Sequence, residues 1–249
     1  MPSVILVTPF LDRNVGSVSR AMLNFGMTDL RLVAPHCNHL SDEALAIAAG
    51  SREVLENARV FESLQECIQD LNQVIATTAR PRKITQVMHT PWSAAKVSVT
   101  LGNGCSTGIV FGPESSGLTN DDVALADAVV AIPAFKHFSS LNLAQAVNCL
   151  GYEMHKRQVH LSETAPPDQW LHPKDGERLC RRDELESFLG RLEKELDLRD
   201  YQSLPERRDV CHRNVRSIFQ RNLLTKSELQ SLQGVLTALI RTPSPVDEG

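Results

Sequence analysis

Apolar runs of four residues alternate with helix-like segments through the first 160 residues. Apart from Arg31 and Thr77, the runs contain no polar residue, which indicates strands buried on both faces of a sheet. Between them, apolar residues recur at helical spacing, as in Val18, Ala21 and Met22 ahead of Gly26. The pattern predicts strands at 4–7, 30–33, 74–77, 108–111 and 129–132, and helices at 16–25, 42–49, 63–71 and 141–156.

This alternation predicts an α/β domain at residues 1–160, with a mostly parallel sheet and helices on both of its faces. Ligands of such sheets bind beyond the carboxyl ends of the strands. We therefore expect a binding site in the loops that follow Ala76, Phe111 and Ile132.

The rest of the chain has a different pattern. Prolines interrupt residues 161–182, which are predicted to be a linker, and residues 183–242 are predicted to form a small all-α extension before a disordered tail at 243–249. Asp183 and Glu186 are predicted to cap its first helix, and Thr225 with Glu228 to form a capping box on its last. Three short helices bury too little surface to be stable alone, so we expect them to pack on the first domain or on a partner subunit.

Composition is typical of a soluble globular protein: 249 residues, 42% hydrophobic and 22% charged. There is no run of about 18 apolar residues, and the N-terminus lacks the basic region of a signal peptide. We therefore expect a cytoplasmic protein that does not bind membranes. The six scattered cysteines form no metal-ligand pattern, so reduced thiols and no metal are expected. The net charge of −4 still allows a local basic face.

Three polar motifs lie where predicted strands give way to helices. N-x-G-S-x-x-R-A at residues 14–21 is either an ordinary helix cap or an anion site containing Arg20. F-G-P-E-S-S-G-L-T at 111–119 has two glycines that let backbone approach a ligand, or it is a loop ending in a helix cap. S-S-L-N-L-A-Q-A-V at 139–147 places Asn142 just inside a helix, where its low propensity indicates a side-chain role. No phosphate-loop or dinucleotide fingerprint is present.

The order and spacing of the three motifs resemble the SPOUT superfamily of RNA methyltransferases, and more closely its TrmJ-type tRNA 2'-O-methyltransferases. The resemblance continues into the extension and covers nearly the whole chain. It implies a SPOUT fold with a C-terminal trefoil knot, a homodimer, and tRNA as the partner. It also implies S-adenosylmethionine as methyl donor, with S-adenosylhomocysteine as product, and a cytidine or uridine at nucleotide 32 of the anticodon loop as target.

The resemblance also implies roles for individual residues. It places Arg20 at the reacting hydroxyl. A guanidinium holds its proton too tightly to be a plausible base, so an electrostatic role is the conservative expectation, and its part in proton removal stays open. Asn14, Glu114 and Asn142 are expected to position Arg20 or the ribose and to shape the site. The implied cofactor contacts are Thr77, Thr78, Ala79, Gly112, Ile132, Ser139, Ser140 and Leu141.

Two basic clusters are predicted to bind RNA, although a solvated surface is the usual alternative for such runs. Arg80, Arg82 and Lys83 follow the expected cofactor loop, and Arg213 and Arg216 lie in a basic helix predicted at 206–221. Two other functions stay open: a ribosomal RNA 2'-O-methyltransferase of the same superfamily, and a catalytically silent RNA-binding protein. Residues 83–104 match no motif, so the base preference and the set of tRNA substrates are not predicted.

Overall fold

The computed structural model describes residues 1–79, 87–100, 105–161, 177–201, 205–220 and 223–241. Within these ranges seven strands form one sheet: β1 (Ser3–Val7), β2 (Leu30–Val33), β3 (Arg59–Phe61), β4 (Gln73–Thr77), β5 (Val87–His89), β6 (Thr107–Phe111) and β7 (Ala128–Val130). Their order in the sheet is β3-β2-β1-β6-β4-β7-β5, and every neighbouring pair is parallel. The predicted α/β class is confirmed.

The same residues contain ten α-helices. Seven connect the strands or follow them directly: α1 (Asp12–Asn24), α2 (Asp42–Ala48), α3 (Arg52–Glu56), α4 (Leu64–Cys67), α5 (Pro91–Thr100), α6 (Asn120–Ala124) and α7 (Leu143–Leu161). Three form the C-terminal extension: α8 (Arg182–Leu198), α9 (Pro205–Gln220) and α10 (Lys226–Ile240). The capping box predicted at Thr225 and Glu228 is confirmed at the start of α10.

Helices cover both faces of the sheet because successive strand side chains point to opposite sides. In β1, Val4 and Leu6 pack into one core with α1, α2, α3, α5 and α7. Ile5 and Val7 pack into a second core with α4 and α6. Each apolar run therefore contributes alternate residues to two hydrophobic cores, one on each face of the sheet. A third cluster, which includes Leu185, Phe188, Leu189, Leu229 and Leu236, holds the extension together.

Several predicted boundaries were wrong, and two of them concern residues of the polar motifs. Helix α1 begins at Asp12 rather than at residue 16, and its N-cap, Leu11, makes no side-chain capping bond. Asn14 therefore lies inside the helix and caps nothing. Asn142 lies just before α7 rather than inside it, and its Oδ1 accepts a hydrogen bond from the Ala144 backbone N–H at 3.0 Å. Asparagine is among the best N-cap residues, so this position agrees with its low helix propensity.

The cap pair predicted for the first helix of the extension was also misplaced, by two residues. The cap pair of α8 is Arg181 with Glu184, whose carboxylate accepts from the Arg181 backbone N–H at 2.8 Å, and not Asp183 with Glu186. Most of the predicted linker (162–176) and all of the predicted tail (243–249) lie outside the described residues.

A buried ion pair joins the extension to the sheet. Arg182, 2% exposed, donates from Nη1 to Oδ1 of Asp127 at 2.6 Å. The other oxygen of Asp127 accepts from the Val74 backbone N–H at 2.7 Å, at the start of β4. Burial raises the pKa of Asp127, and Arg182 opposes that effect. The first helix of the extension is therefore anchored to the core of the first domain.

All six cysteines are free, as predicted. Burial raises the pKa of Cys67 to about 12, and burial together with the nearby Asp12 raises that of Cys37 to about 11. These two thiols are therefore protonated at neutral pH and are poor nucleophiles. In the ranges given above, no cluster of side chains could hold a metal ion, and none of the helices is long and apolar enough to cross a membrane.

Candidate active site

A pocket opens at the carboxyl ends of β4, β6 and β7. Each of these neighbouring strands delivers a loop to it, because parallel strands end at the same edge of the sheet. All eight side chains or backbone segments expected to hold the cofactor line this one pocket: Thr77, Thr78, Ala79, Gly112, Ile132, Ser139, Ser140 and Leu141. The residues come from three segments far apart in sequence, and the structure brings them together.

The β6 loop is folded so tightly that one position requires glycine. A Cβ on Gly112 would lie 2.2 Å from the Leu118 backbone nitrogen and 2.4 Å from the Gly117 carbonyl carbon, both of which are backbone atoms. Gly117 itself has a φ of 67°, in the left-handed region. The loop thus closes on itself beside the pocket, which explains both glycines; a close approach of this backbone to a ligand stays a prediction.

A hydrogen-bonded chain links the three polar motifs. Asn14 donates from Nδ2 to Oε1 of Glu114 at 2.7 Å, while Oε2 of Glu114 accepts from the Phe10 backbone N–H at 3.2 Å. Asn142 donates from Nδ2 to Oδ1 of Asn14, over a longer 3.4 Å. Asn14 is 8% exposed. Since a buried amide must satisfy both its donor and its acceptor, this chain fixes the orientation of Asn14.

Arg20 lies beside the pocket rather than in it. It is exposed on α1 and lines an open groove with Ser17 and Asn24 of the same helix and Gln145 of α7. Leu141 lines both the groove and the pocket. The groove that Arg20 lines therefore adjoins the pocket at Leu141.

Several pocket residues were not singled out in advance. Val130, Leu143 and Ala146 supply apolar surface, and Ser115 and Ser116 supply hydroxyls. All but Val130 belong to the second and third motifs, so the motifs themselves were the signal. Val130 ends a strand whose three residues are all buried, and nothing in its sequence context distinguishes it from an ordinary core residue.

The predicted RNA-binding residues have different environments. Arg80, Arg82 and Lys83 lie outside the described residues. Arg213 is exposed and makes a surface pair with Asp121 of α6 at 3.2 Å. Arg216 is held between two carboxylates, at 2.6 Å from Glu193 and 2.5 Å from Glu186. Burial alone would lower the pKa of Arg216, but the bonds to Glu193 and Glu186 raise it.

Arg216 therefore differs from Arg213 in what it can do. Its charge is compensated inside the extension, where it ties α9 to α8, so a structural role accounts for it. Arg213 keeps 43% of its side chain exposed, and an exposed pair contributes little stability. Of the two arginines, Arg213 is the better candidate for contact with a phosphate.

Comparison with known proteins agrees with this fold. An all-parallel α/β sheet with a pocket beyond three adjacent strand ends is typical of α/β proteins that bind a ligand at the carboxyl ends of their strands. Residues 1–152 match the family model described as "SpoU rRNA Methylase family". The chain belongs to the SpoU methylase family, which confirms the expected methyltransferase.

Some relatives match nearly the full length of this chain, including the helical extension. The tRNA (cytidine/uridine-2'-O-)-methyltransferase TrmJ of Pectobacterium atrosepticum is 33% identical over 239 residues, 96% of each chain. The crystal structure of TrmJ from Z. mobilis ZM4 superimposes with a TM-score of 0.83 at 38% identity, covering 97% of this chain and 100% of that one. This structural match confirms the SPOUT-type fold together with its helical extension.

A more distant structure shares the fold only. AviRb of Streptomyces viridochromogenes, a SpoU methyltransferase solved in complex with AdoMet, matches with a TM-score of 0.51 at 20% identity. The match covers 64% of this chain and 60% of that chain.

Proposed function

We propose that this protein transfers a methyl group from S-adenosylmethionine to the 2'-hydroxyl of a cytidine or uridine in tRNA, at nucleotide 32 of the anticodon loop. The observation that carries the proposal is the meeting of the three motifs: eight expected cofactor contacts line one pocket, and Arg20 lines a groove that shares Leu141 with it. Relatives that match almost the whole chain are tRNA cytidine/uridine methyltransferases, which supports the substrate. A tRNA substrate would place the enzyme in the cytoplasm.

The pocket has the chemistry that a nucleoside-containing cofactor needs. Ile132 and Leu141 offer apolar surface to a base, and the hydroxyls of Ser139 and Ser140 can form hydrogen bonds with the ligand. The Thr77 hydroxyl donates to the Val110 carbonyl at 2.9 Å, so it can only accept from a ligand. Gly112 lets the β6 loop fold tightly against its own backbone at Gly117 and Leu118, which gives this side of the pocket its shape. When bound, S-adenosylmethionine would supply a methyl group already activated by a positively charged sulfur.

The residues of this chain then have two tasks. They must hold the ribose hydroxyl in line with the methyl group, and they must stabilise the negative charge that develops on its oxygen. Arg20 is suited to the second task, because a guanidinium donates several hydrogen bonds and keeps its charge at every physiological pH. Asn14, Glu114 and Asn142 are positioning residues that fix the start of α1 against the other two motifs.

We further propose a homodimer as the working form. The family resemblance implies this assembly, in which the second subunit must leave the groove that Arg20 lines open to the RNA. Arg213 is proposed to contact tRNA phosphate from the extension, on the side of α6.

The catalytic role of Arg20 is tested by an Arg20→Ala variant. Loss of an electrostatic group that acts in the transition state lowers kcat by about 10²–10³, while binding of S-adenosylmethionine, measured by calorimetry, should not change. Arg13→Ala is the matched control, since Arg13 is also an exposed arginine on α1 but does not line the groove. An Arg20→Ala enzyme that methylates tRNA at the wild-type rate contradicts the assignment.

The family description names ribosomal RNA, so ribosomal RNA is the second candidate substrate. Parallel assays with purified tRNA and with ribosomal RNA distinguish the two. Methylation of tRNA alone supports the proposal, and methylation of ribosomal RNA alone replaces it. A silent RNA-binding protein would bind no S-adenosylmethionine.

A further inference from the structure

A short turn projects from the rim of the pocket. Ile132 and Ser139 both line the pocket, and the six residues between them, 133–138, are all exposed. The Phe138 backbone N–H donates to the Phe135 carbonyl at 2.8 Å and closes the turn. The segment is therefore an ordered projection, held at both ends by residues of the site.

Two aromatic rings on this turn are exposed to solvent. Phe135 is 71% exposed and Phe138 79%, and Phe138 is the most exposed large hydrophobic residue that the structure describes. The ring of Phe135 meets that of His137 edge-on, with centroids 5.5 Å apart. Exposing two phenylalanines to water is unfavourable, so a binding partner is expected to cover them.

The charges around the rings point to an anionic partner. Lys136 and His137 lie between the two phenylalanines, and the sequence contains no aspartate or glutamate from residue 128 to residue 152. In the described part of the chain, Lys136 has no carboxylate within salt-bridge distance. Protein interfaces are depleted in lysine, whereas aromatic rings interleaved with basic side chains are the usual platform for unpaired nucleotides.

We propose that Phe135 and Phe138 form a stacking platform for an unpaired base of the RNA substrate, next to the nucleotide that is methylated, with Lys136 contacting the backbone phosphate. The inference rests on the proposed function, since it assumes that the pocket receives RNA. Single-stranded loops are recognised in this way, because every base has a face that can stack on an aromatic ring. The turn would then hold the loop while Arg20 acts on the ribose.

The test uses full-length protein and three variants of the turn: Phe135→Ala, Phe138→Ala and the double variant. Removing a ring that stacks on a base weakens single-strand binding by about 5- to 150-fold. We expect the double variant to raise the Kd and KM for tRNA within that range, while the Kd for S-adenosylmethionine does not change. Phe138→Trp should retain most of the affinity, because it restores a stacking surface. Leu239→Ala is the control, as Leu239 is 74% exposed on the distant helix α10.

Three outcomes separate the possibilities. Unchanged tRNA affinity in the double variant overturns the platform. The platform is also overturned if the double variant has a lower molar mass than the wild type in light scattering and binds the cofactor more weakly. That result would mean that the turn contacts a second copy of the chain. The Kd for tRNA is measured apart from methyl transfer. If the wild-type protein binds tRNA through the two rings but methylates nothing, the platform stands and the proposed function fails.

Discussion

Replacing Asn14 by alanine should uncouple the first motif from the second. The Asn14 amide is the only described link between the side chain of Glu114 and the interior of α1, and it is made at 2.7 Å. Alanine at this position leaves Oε1 of Glu114 without its donor and Nδ2 of Asn142 without its acceptor. We expect α1 to lose its alignment with the β6 loop, and Arg20 with it.

The magnitude follows from the geometry. A hydrogen bond to a charged group contributes about 1.5–3 kcal/mol to stability. Glu114 is only partly buried, so we expect the lower end of that range, about 1.5 kcal/mol. The bond from Asn142 to Asn14, at 3.4 Å, is close to the limit for a hydrogen bond and contributes little.

A double-mutant cycle measures this coupling directly. Urea unfolding of the wild type, Asn14→Ala, Glu114→Ala and the double variant gives the interaction energy, because the bond from Phe10 to Glu114 is lost on both sides of the cycle and cancels. Asn24→Ala is the control, since Asn24 is an exposed asparagine on the same helix and should change stability by less than about 0.5 kcal/mol. A coupling below about 0.5 kcal/mol would refute the positioning role.

Two further predictions concern the pocket and the extension. Gly112→Ala should abolish binding of S-adenosylmethionine in calorimetry, because its Cβ would lie 2.2 Å from backbone; Gly190→Ala, which meets nothing within 4 Å, should bind normally. Tight binding by Gly112→Ala would contradict the predicted pocket geometry. Arg182→Met should lower the free energy of unfolding by about 3–5 kcal/mol, because it leaves Asp127 charged and buried. Adding Asp127→Asn should recover part of that loss, and a single variant as stable as the wild type would rule out the anchor.

The part of the fold that sequence reasoning found is the part with long apolar runs. Strands β1, β2, β4 and β6 are buried along their whole length, or nearly so, and their runs were recognised. The short strands β3 and β5 were missed, because they lie at the two edges of the sheet and are largely exposed. An edge strand of three residues carries almost no hydrophobic signal.

The residues of the site could be predicted from the sequence, but the side-chain contacts between them could not. The family resemblance implied the eight cofactor contacts, and all of them line one pocket. Asn14, by contrast, was read as a possible helix cap, whereas α1 starts at Asp12 and Asn14 lies inside it. The pairs Asn14–Glu114 and Arg182–Asp127 join residues 100 and 55 positions apart. Such pairings depend on tertiary packing, and no local pattern in one sequence indicates them. Arg216 was predicted to bind RNA because it lies in a basic run, but two glutamates of α8 form ion pairs with it. The sequence run did not indicate these pairs either.

The most direct test of the central claim is transfer of a labelled methyl group from S-adenosylmethionine to tRNA, followed by mapping of the modified nucleotide. The account predicts a single 2'-O-methylated cytidine or uridine at nucleotide 32, absent when the Arg20→Ala variant replaces the wild-type enzyme. Label on a base instead of a ribose, or label confined to ribosomal RNA, would contradict it.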